Sequence, residues 1–255
     1  MAGLFDLSGR TALVTGSARG IGYSLIEGLA AAGASVIVNG RRQEAVEAAV
    51  KKLQDKGYRT RGAVFDVADE TAVAAAFAAF DRDGVEIGIL VNNAGIQFRK
   101  PMVELELKDW QRVLDTNLTA AFIVGREAAR RMIQRGYGGK IINIASLTSE
   151  AARATVAPYT AAKGGIRMLT RSMAAEWGQF DIQANAVGPG YILTEMNTAL
   201  IENLEFDAWV KSSNPSGRWG KPEELAGTVV YLASEASSYV NGQVIYVDGG
   251  WLSVL

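Results

Sequence analysis

The 255-residue sequence contains no cysteine and no histidine. Without cysteine there can be no disulfide, no thiolate nucleophile and no thiolate metal site. Without histidine, the Ser-His-Asp and Cys-His hydrolases and the usual zinc sites are excluded, so no metal centre is expected. Acid–base chemistry near neutral pH must then fall to a shifted tyrosine, lysine, aspartate or glutamate. Long apolar runs are missing too: none approaches the ~20 residues of a membrane span. The net charge is −1 and there is no basic block, which argues against both membrane and nucleic acid as partners and for a small molecule. The opening M-A-G-L-F-D-L-S-G-R lacks the basic and apolar regions of a signal peptide, so the expected compartment is the cytoplasm. There is no internal linker, repeat or low-complexity stretch, and residues 1–255 read as one domain.

What is present is the composition of a soluble globular protein, 49% hydrophobic and 21% charged. Short apolar strand signals at 11–15, 35–39, 60–65, 88–91, 140–144, 182–187 and 243–247 alternate with helical spacing. Helices are expected from the glycines near 20 to Gly33, at 43–56, at 69–80 with Asp69 as cap, over about 108–135, at 158–177 and from Pro222 to about 233. Residues 191–217 read as an irregular polar segment with apolar patches. The fold class is therefore α/β: a doubly wound, Rossmann-type sheet of about seven parallel strands with helices on both faces. Ligands of such sheets collect at the carboxyl ends of the strands.

Two stretches carry chemistry. The first strand runs directly into Gly16-Ser17-Ala18-Arg19-Gly20-Ile21-Gly22 and then into a helix. Strand, glycine turn, helix, strand is the dinucleotide-binding unit: the glycines admit a pyrophosphate and the helix N-terminus favours the anion. In the second, Tyr159 and Lys163 lie four apart on one helical face, after a strand that ends near Ser146. A free tyrosine has a pKa of about 10. An ammonium ~5 Å away at an effective dielectric of ~20 favours the phenolate by roughly 3 kcal/mol, about two pKa units. On that reasoning Tyr159 becomes a proton donor or acceptor near neutrality, with Ser146 holding a substrate oxygen.

Taken together, T-G-S-A-R-G-I-G at 15–22, Asp66, N-N-A-G at 92–95, Asn117, Ser146, Y-T-A-A-K at 159–163, P-G at 189–190 and Thr194 resemble the short-chain dehydrogenase/reductase family over essentially the whole chain. The resemblance implies a catalytic set of Asn117, Ser146, Tyr159 and Lys163. Asn117 would sit at a local kink whose free carbonyl holds a water in a proton relay from Lys163, and Lys163 would also grip the nicotinamide ribose. It further implies cofactor contacts from Gly16, Ser17, Arg19, Gly20, Ile21 and Gly22, from Asp66 and Val67 at the adenine, and from Asn93, Ala94 and Gly95 along the floor. Tyr159, Lys163, Pro189, Gly190, Ile192 and Thr194 would face the nicotinamide half. Residues 191–217 would form a substrate lid, and the expected assembly is a homotetramer built partly through two long helices.

NAD-dependent relatives place a carboxylate at the end of the second strand. Here that end reads Asn39-Gly40-Arg41-Arg42, so NADP(H) is expected over NAD(H), with Arg41 or Arg42 and Arg19 on the 2′-phosphate. N-N-A-G-I-Q at 92–97, S-E-A-A-R-A-T-V-A-P-Y from Ser149, R-W-G-K-P-E-E-L at 218–225 and Y-V-D-G-G at 246–250 resemble the gluconate 5-dehydrogenases within the family. They imply a secondary alcohol–ketone interconversion on a small sugar acid, D-gluconate and 5-dehydro-D-gluconate, with Gln97, Arg99, Ser146, Glu150, Arg153 and Tyr159 as substrate contacts. The alternatives are a 3-oxoacyl thioester (acyl-carrier-protein) reductase, another polyol or ketone reductase, or a non-catalytic dinucleotide-binding protein.

Overall fold

A computed structural model describes residues 3–254; Met1, Ala2 and Leu255, which the one-domain expectation includes, lie outside the described residues. Seven strands form one parallel sheet in the order β3-β2-β1-β4-β5-β6-β7. They are β1 (Thr11–Val14), β2 (Ser35–Gly40), β3 (Thr60–Val64), β4 (Ile89–Asn92), β5 (Gly139–Ile144), β6 (Ile182–Pro189) and β7 (Val244–Val247). The chain winds outward from β1 to β3, crosses back to β4 beside β1, and then winds the other way. The crevice at this reversal, above the carboxyl ends of β1 and β4, is where such sheets bind ligands.

Strand side chains alternate between two apolar layers, because successive residues of a strand point to opposite faces. Val14, Val36, Val38, Val91, Ile142 and Ile144 pack into one buried cluster with Leu25, Ile26 and Leu29 of α1 (Gly20–Ala31). Leu13, Ile37, Leu90 and Ile141 pack into the other, with Phe77 of α3 (Glu70–Arg82) and Val124 of α5 (Ala120–Arg135). Each such side chain taken fully from water contributes about 1.5–3 kcal/mol. Between α1 and α3, α2 (Gln43–Gln54) lies on the first layer through Val46, Ala49 and Leu53.

Helix ends follow local chemistry. The Asp69 side chain accepts from the Ala72 N–H at the start of α3. Gly33, at φ +103°, lets the chain leave α1, with the Ala34 N–H donating back to the Leu29 carbonyl.

The helix expected over 108–135, with its kink at Asn117, consists of α4 (Leu107–Leu114) and α5 joined by a π-helical turn at Asp115–Thr119. One expectation needs correction: the segment 191–217 is not irregular. It carries α7 (Thr198–Ile201) and α8 (Leu204–Ser213). Apolar residues of α8 that looked like scattered patches, Phe206 and Trp209, face partners remote in sequence. The remaining helices are α6 (Ala157–Trp177) and α9 (Ala226–Ala233). No helix among the described residues is long and apolar enough to cross a membrane.

Candidate active site

The glycine turn after β1 is shaped by close approach. A Cβ on Gly22 would lie 2.5 Å from the Gly16 carbonyl and 2.5 Å from the Asn93 amide, so only glycine packs there. Gly20, at φ +58°, begins α1 with open space above its Cα. Space, a left-handed turn and a helix N-terminus together fit the pyrophosphate of a dinucleotide. The turn is held from both sides. Asn39 at the end of β2 is buried; its Oδ1 accepts from Gly16 N–H (3.1 Å), and its amide donates to the Ala63 and Phe65 carbonyls. Asn93 Nδ2 donates to the Thr15 carbonyl (2.8 Å), while Thr15 Oγ1 accepts from the Asn93 and Ala94 N–H groups.

No acid stands at the end of β2. Arg41 is exposed and reaches only 3.6 Å from Asp66, and Arg42 makes no ion pair among the described residues. Asp66 Oδ1 accepts from Ala68 N–H at 3.0 Å, and Val67 beside it is buried. Arg19 pairs with Glu195 (2.7 Å), a contact between the glycine turn and the segment before α7 that the sequence did not suggest. Ser17 is buried, its hydroxyl donating to Val14.

Asn117 sits in the π-helical turn with its side chain buried, where Oδ1 accepts from Ile96 N–H (2.8 Å) and Nδ2 donates to the Ile96 carbonyl (2.9 Å). This clasp fixes the chain leaving Gly95. A wider turn also releases main-chain carbonyls from the helical ladder, and such turns recur at functional sites.

Ser146 follows β5; its Oγ accepts from Thr148 N–H (3.2 Å), and its side chain acts on the Tyr159 phenol to lower its pKa. Lys163, buried one turn beyond Tyr159 on α6, donates to the Ile144 carbonyl at 2.5 Å and lies 5.5 Å from the Tyr159 ring centroid. The ammonium thus faces the end of β5 rather than the phenol oxygen. The electrostatics differ accordingly from the sequence argument. Burial pushes the Tyr159 phenol up; Ser146 and the charge of Arg99 oppose this without reversing it. Burial also lowers Lys163 to about 8. A pairwise charge estimate omitted desolvation, and desolvation is the larger effect here.

Above Tyr159 the structure gathers residues from three loops. Lys100 N–H donates to the Thr155 carbonyl (2.9 Å), joining the loop of Gln97 and Arg99 to the loop of Arg153. Thr155 holds a left-handed φ of +69°, an uncommon conformation for a residue with a branched side chain. Arg99 and Arg153 have no ion-pair partner among the described residues. Partial burial lowers the Arg99 pKa, and the charge of Arg153 adds to the effect. Both charges act on Tyr191. Gln97 Oε1 is buried without a hydrogen-bond partner. Glu150 Oε1 pairs with Arg167 (3.0 Å) and accepts from the Tyr246 hydroxyl (2.9 Å), tying α6 to β7.

Sequence reasoning missed the aromatic wall of this pocket. Tyr191 packs on Trp251 (centroids 4.8 Å apart), Trp219 (5.6 Å), Phe206 (5.7 Å) and Trp209 (5.8 Å), and the Arg153 guanidinium lies 5.1 Å over Phe206. Three of the chain's five tryptophans meet here, and their concentration after residue 200 was the available signal. Close by, Gly190 leaves β6 with no room for a Cβ against Asp248, Ile192 is buried, and Thr194 precedes Glu195.

Residues 16–252 match the family described as enoyl-(acyl carrier protein) reductase. Over 247 residues the chain is 51% identical to gluconate 5-dehydrogenase of Gluconobacter oxydans, covering 97% of this chain and 96% of the relative. The chain is a short-chain dehydrogenase/reductase. As a member of that family it is an oxidoreductase that binds a nicotinamide dinucleotide. Another family member, 5-keto-D-gluconate 5-reductase of Escherichia coli, is 44% identical over 99% of both chains. The crystal structure of a gluconate 5-dehydrogenase from Burkholderia cenocepacia, in complex with NADP and tartrate, superposes with a TM-score of 0.96. It is 48% identical, over 99% of this chain and 98% of that one.

Proposed function

We propose that this short-chain dehydrogenase/reductase interconverts D-gluconate and 5-dehydro-D-gluconate with NADP(H). The observation that carries the substrate is the pair Arg99 and Arg153, two guanidinium groups near Tyr159 with no acid to neutralise them. A sugar-acid carboxylate supplies the missing charge, and the unpartnered Gln97 Oε1 accepts from one of its hydroxyls. The names of the relatives support the same substrate class. A 3-oxoacyl thioester has less use for two unpaired cations.

A bound nicotinamide takes or supplies the hydride. The chain handles the proton. In ketone reduction, Ser146 holds the carbonyl oxygen and Tyr159 delivers its proton to that oxygen as the carbon gains the hydride; in oxidation the same proton returns to Tyr159. Burial raises the Tyr159 phenol, while Ser146 and the charge of Arg99 act to lower it and so ease release of its proton. Lys163 holds the ribose hydroxyls, and Asn117 keeps open the turn through which water reprotonates the site.

Preference for NADP(H) over NAD(H) rests on the missing acid after β2 and on Arg41 and Arg42 standing exposed there. Arg19 joins them when its pair with Glu195 gives way to the 2′-phosphate. The half-exposed Phe122 of α5 and Met168 of α6 support a homotetramer formed through these helices. The deciding experiment is a panel of sugar acids, polyols and acyl thioesters run with both cofactors. Preferred turnover of 5-dehydro-D-gluconate with NADPH is expected; far better reduction of acyl thioesters would refute the substrate.

A further inference from the structure

A second cavity, of about 670 Å³, lies at the opposite end of the sheet from Tyr159, under the amino ends of the strands. Lys140 of β5 lines it, four residues and about 13 Å along the strand from Ile144, whose carbonyl holds Lys163. The two sites are therefore separate.

Most charged groups in the wall are occupied. Arg10 pairs with Glu235 and donates to the Ala233 carbonyl. Arg135 donates to the Ile87 (2.8 Å) and Gly138 (2.7 Å) carbonyls, and Glu86 accepts from Tyr137. Asp181 accepts from Gln183. Lys140 is different. It is 3% exposed, faces the cavity, and has no hydrogen bond or ion pair among the described residues. Its ammonium opens onto the cavity, whereas Arg135 Nε is fully buried with no partner. Burying a charge without a partner is costly, and buried charges are otherwise paired. An ammonium and a guanidinium N–H without acceptors, in a wall with more cations than acids, make a site that lacks an anion.

We propose that this cavity is a second ligand site, which takes a small molecule bearing a phosphate or carboxylate group, with that oxyanion seated on Lys140. Arg135 supplies the flanking donor, and Arg10 contributes charge. Burial holds the Lys140 ammonium below the ordinary lysine range; Arg10 adds to this, while Glu235 and Asp181 oppose it. An anion at this point stabilises the charged form.

The test uses the whole enzyme with NADPH at saturation, so that the phosphate subsites of the cofactor cleft are filled. Inorganic phosphate and citrate are titrated separately against sodium chloride at matched ionic strength, with binding read by calorimetry and by thermal unfolding. Lys140→Met is compared with wild type and with Lys140→Arg. Saturable binding that falls at least tenfold in Lys140→Met and survives in Lys140→Arg is the expected result. The arm that saturates at lower concentration tells phosphate from carboxylate ligands. Only the component that Lys140→Met removes counts, because citrate also fits the arginines above Tyr159. If neither anion stabilises the wild-type enzyme beyond sodium chloride, the proposal is overturned. It is equally overturned if Lys140→Met binds both as wild type does. Should Lys140→Met not fold, Lys140→Gln takes its place: the same tenfold loss of phosphate and citrate binding is expected, and binding as in wild type refutes the site.

Discussion

Replacing Arg153 by alanine isolates the proposed carboxylate contact from the rest of the site. Arg153 makes no ion pair among the described residues, and its guanidinium lies over Phe206 at 5.1 Å. Removing it forfeits a cation–π contact of about 0.5–1 kcal/mol at a partly open position. It also relieves repulsion with Arg99, so folding stability should barely move. Binding is another matter. A hydrogen bond to a charged group contributes about 1.5–3 kcal/mol, and each 1.4 kcal/mol is tenfold. Arg153→Ala should therefore lower kcat/KM for 5-dehydro-D-gluconate by roughly 10- to 150-fold, chiefly through KM, since the contact exists before and during reaction. A neutral ketone of similar size should be reduced within about twofold of wild type, because it has no carboxylate to lose. The assay follows NADPH consumption with both substrates. If both lose equally, Arg153 shapes the pocket without reading charge, and the argument for a sugar acid fails with it. Arg99→Ala in a double-mutant cycle adds a check: two arginines on one carboxylate should couple, giving a double loss that differs from the sum.

Tyr159→Phe should abolish turnover while NADPH affinity, read by fluorescence titration, stays near wild type; substantial residual turnover would remove Tyr159 from the chemistry. Arg41→Ala should narrow the preference for NADPH over NADH by at least tenfold in kcat/KM, the scale of one charge-assisted contact; an unchanged ratio would move the 2′-phosphate contact elsewhere. Lys163, lowered to about 8, carries its charge only below that pH in the free enzyme, so dinucleotide affinity should be flat below it and fall as pH rises through it. A flat affinity across that window would refute the ribose role. The same shift has a stability sign: between about 8 and the ordinary lysine value of 10.5 the unfolded chain binds the proton that the folded one has released, so this group adds stability as pH rises there.

The alternating apolar strands, the glycine turn in its strand-to-helix setting and the Tyr159–Lys163 spacing were legible in the sequence because each depends on near neighbours along the chain. Periodicity places a side chain on a face, and a turn glycine answers to its own backbone. Seven strands and the helices between them follow from such local rules, and so does the expectation that a dinucleotide lies beyond β1. The break at Asn117 was suggested by family resemblance, whereas its cause is tertiary: the side chain clasps Ile96, twenty-one residues away. The direction of the Tyr159 shift was misread for the same reason. Spacing on a helix predicts that a lysine is near, but burial, and the Ile144 carbonyl that turns the ammonium aside, exist only once β5 and α6 are packed. Glu150 looked unpaired until α6 and β7 brought Arg167 and Tyr246 to one of its oxygens. Residues 191–217 looked irregular because the aromatic partners that Phe206 and Trp209 share, Tyr191, Trp219 and Trp251, lie outside α8 and meet them only in the folded chain. Lys140 shows the principle in its simplest form. In sequence it is one polar residue opening an apolar strand, and only the folded sheet makes it a buried charge facing an open cavity.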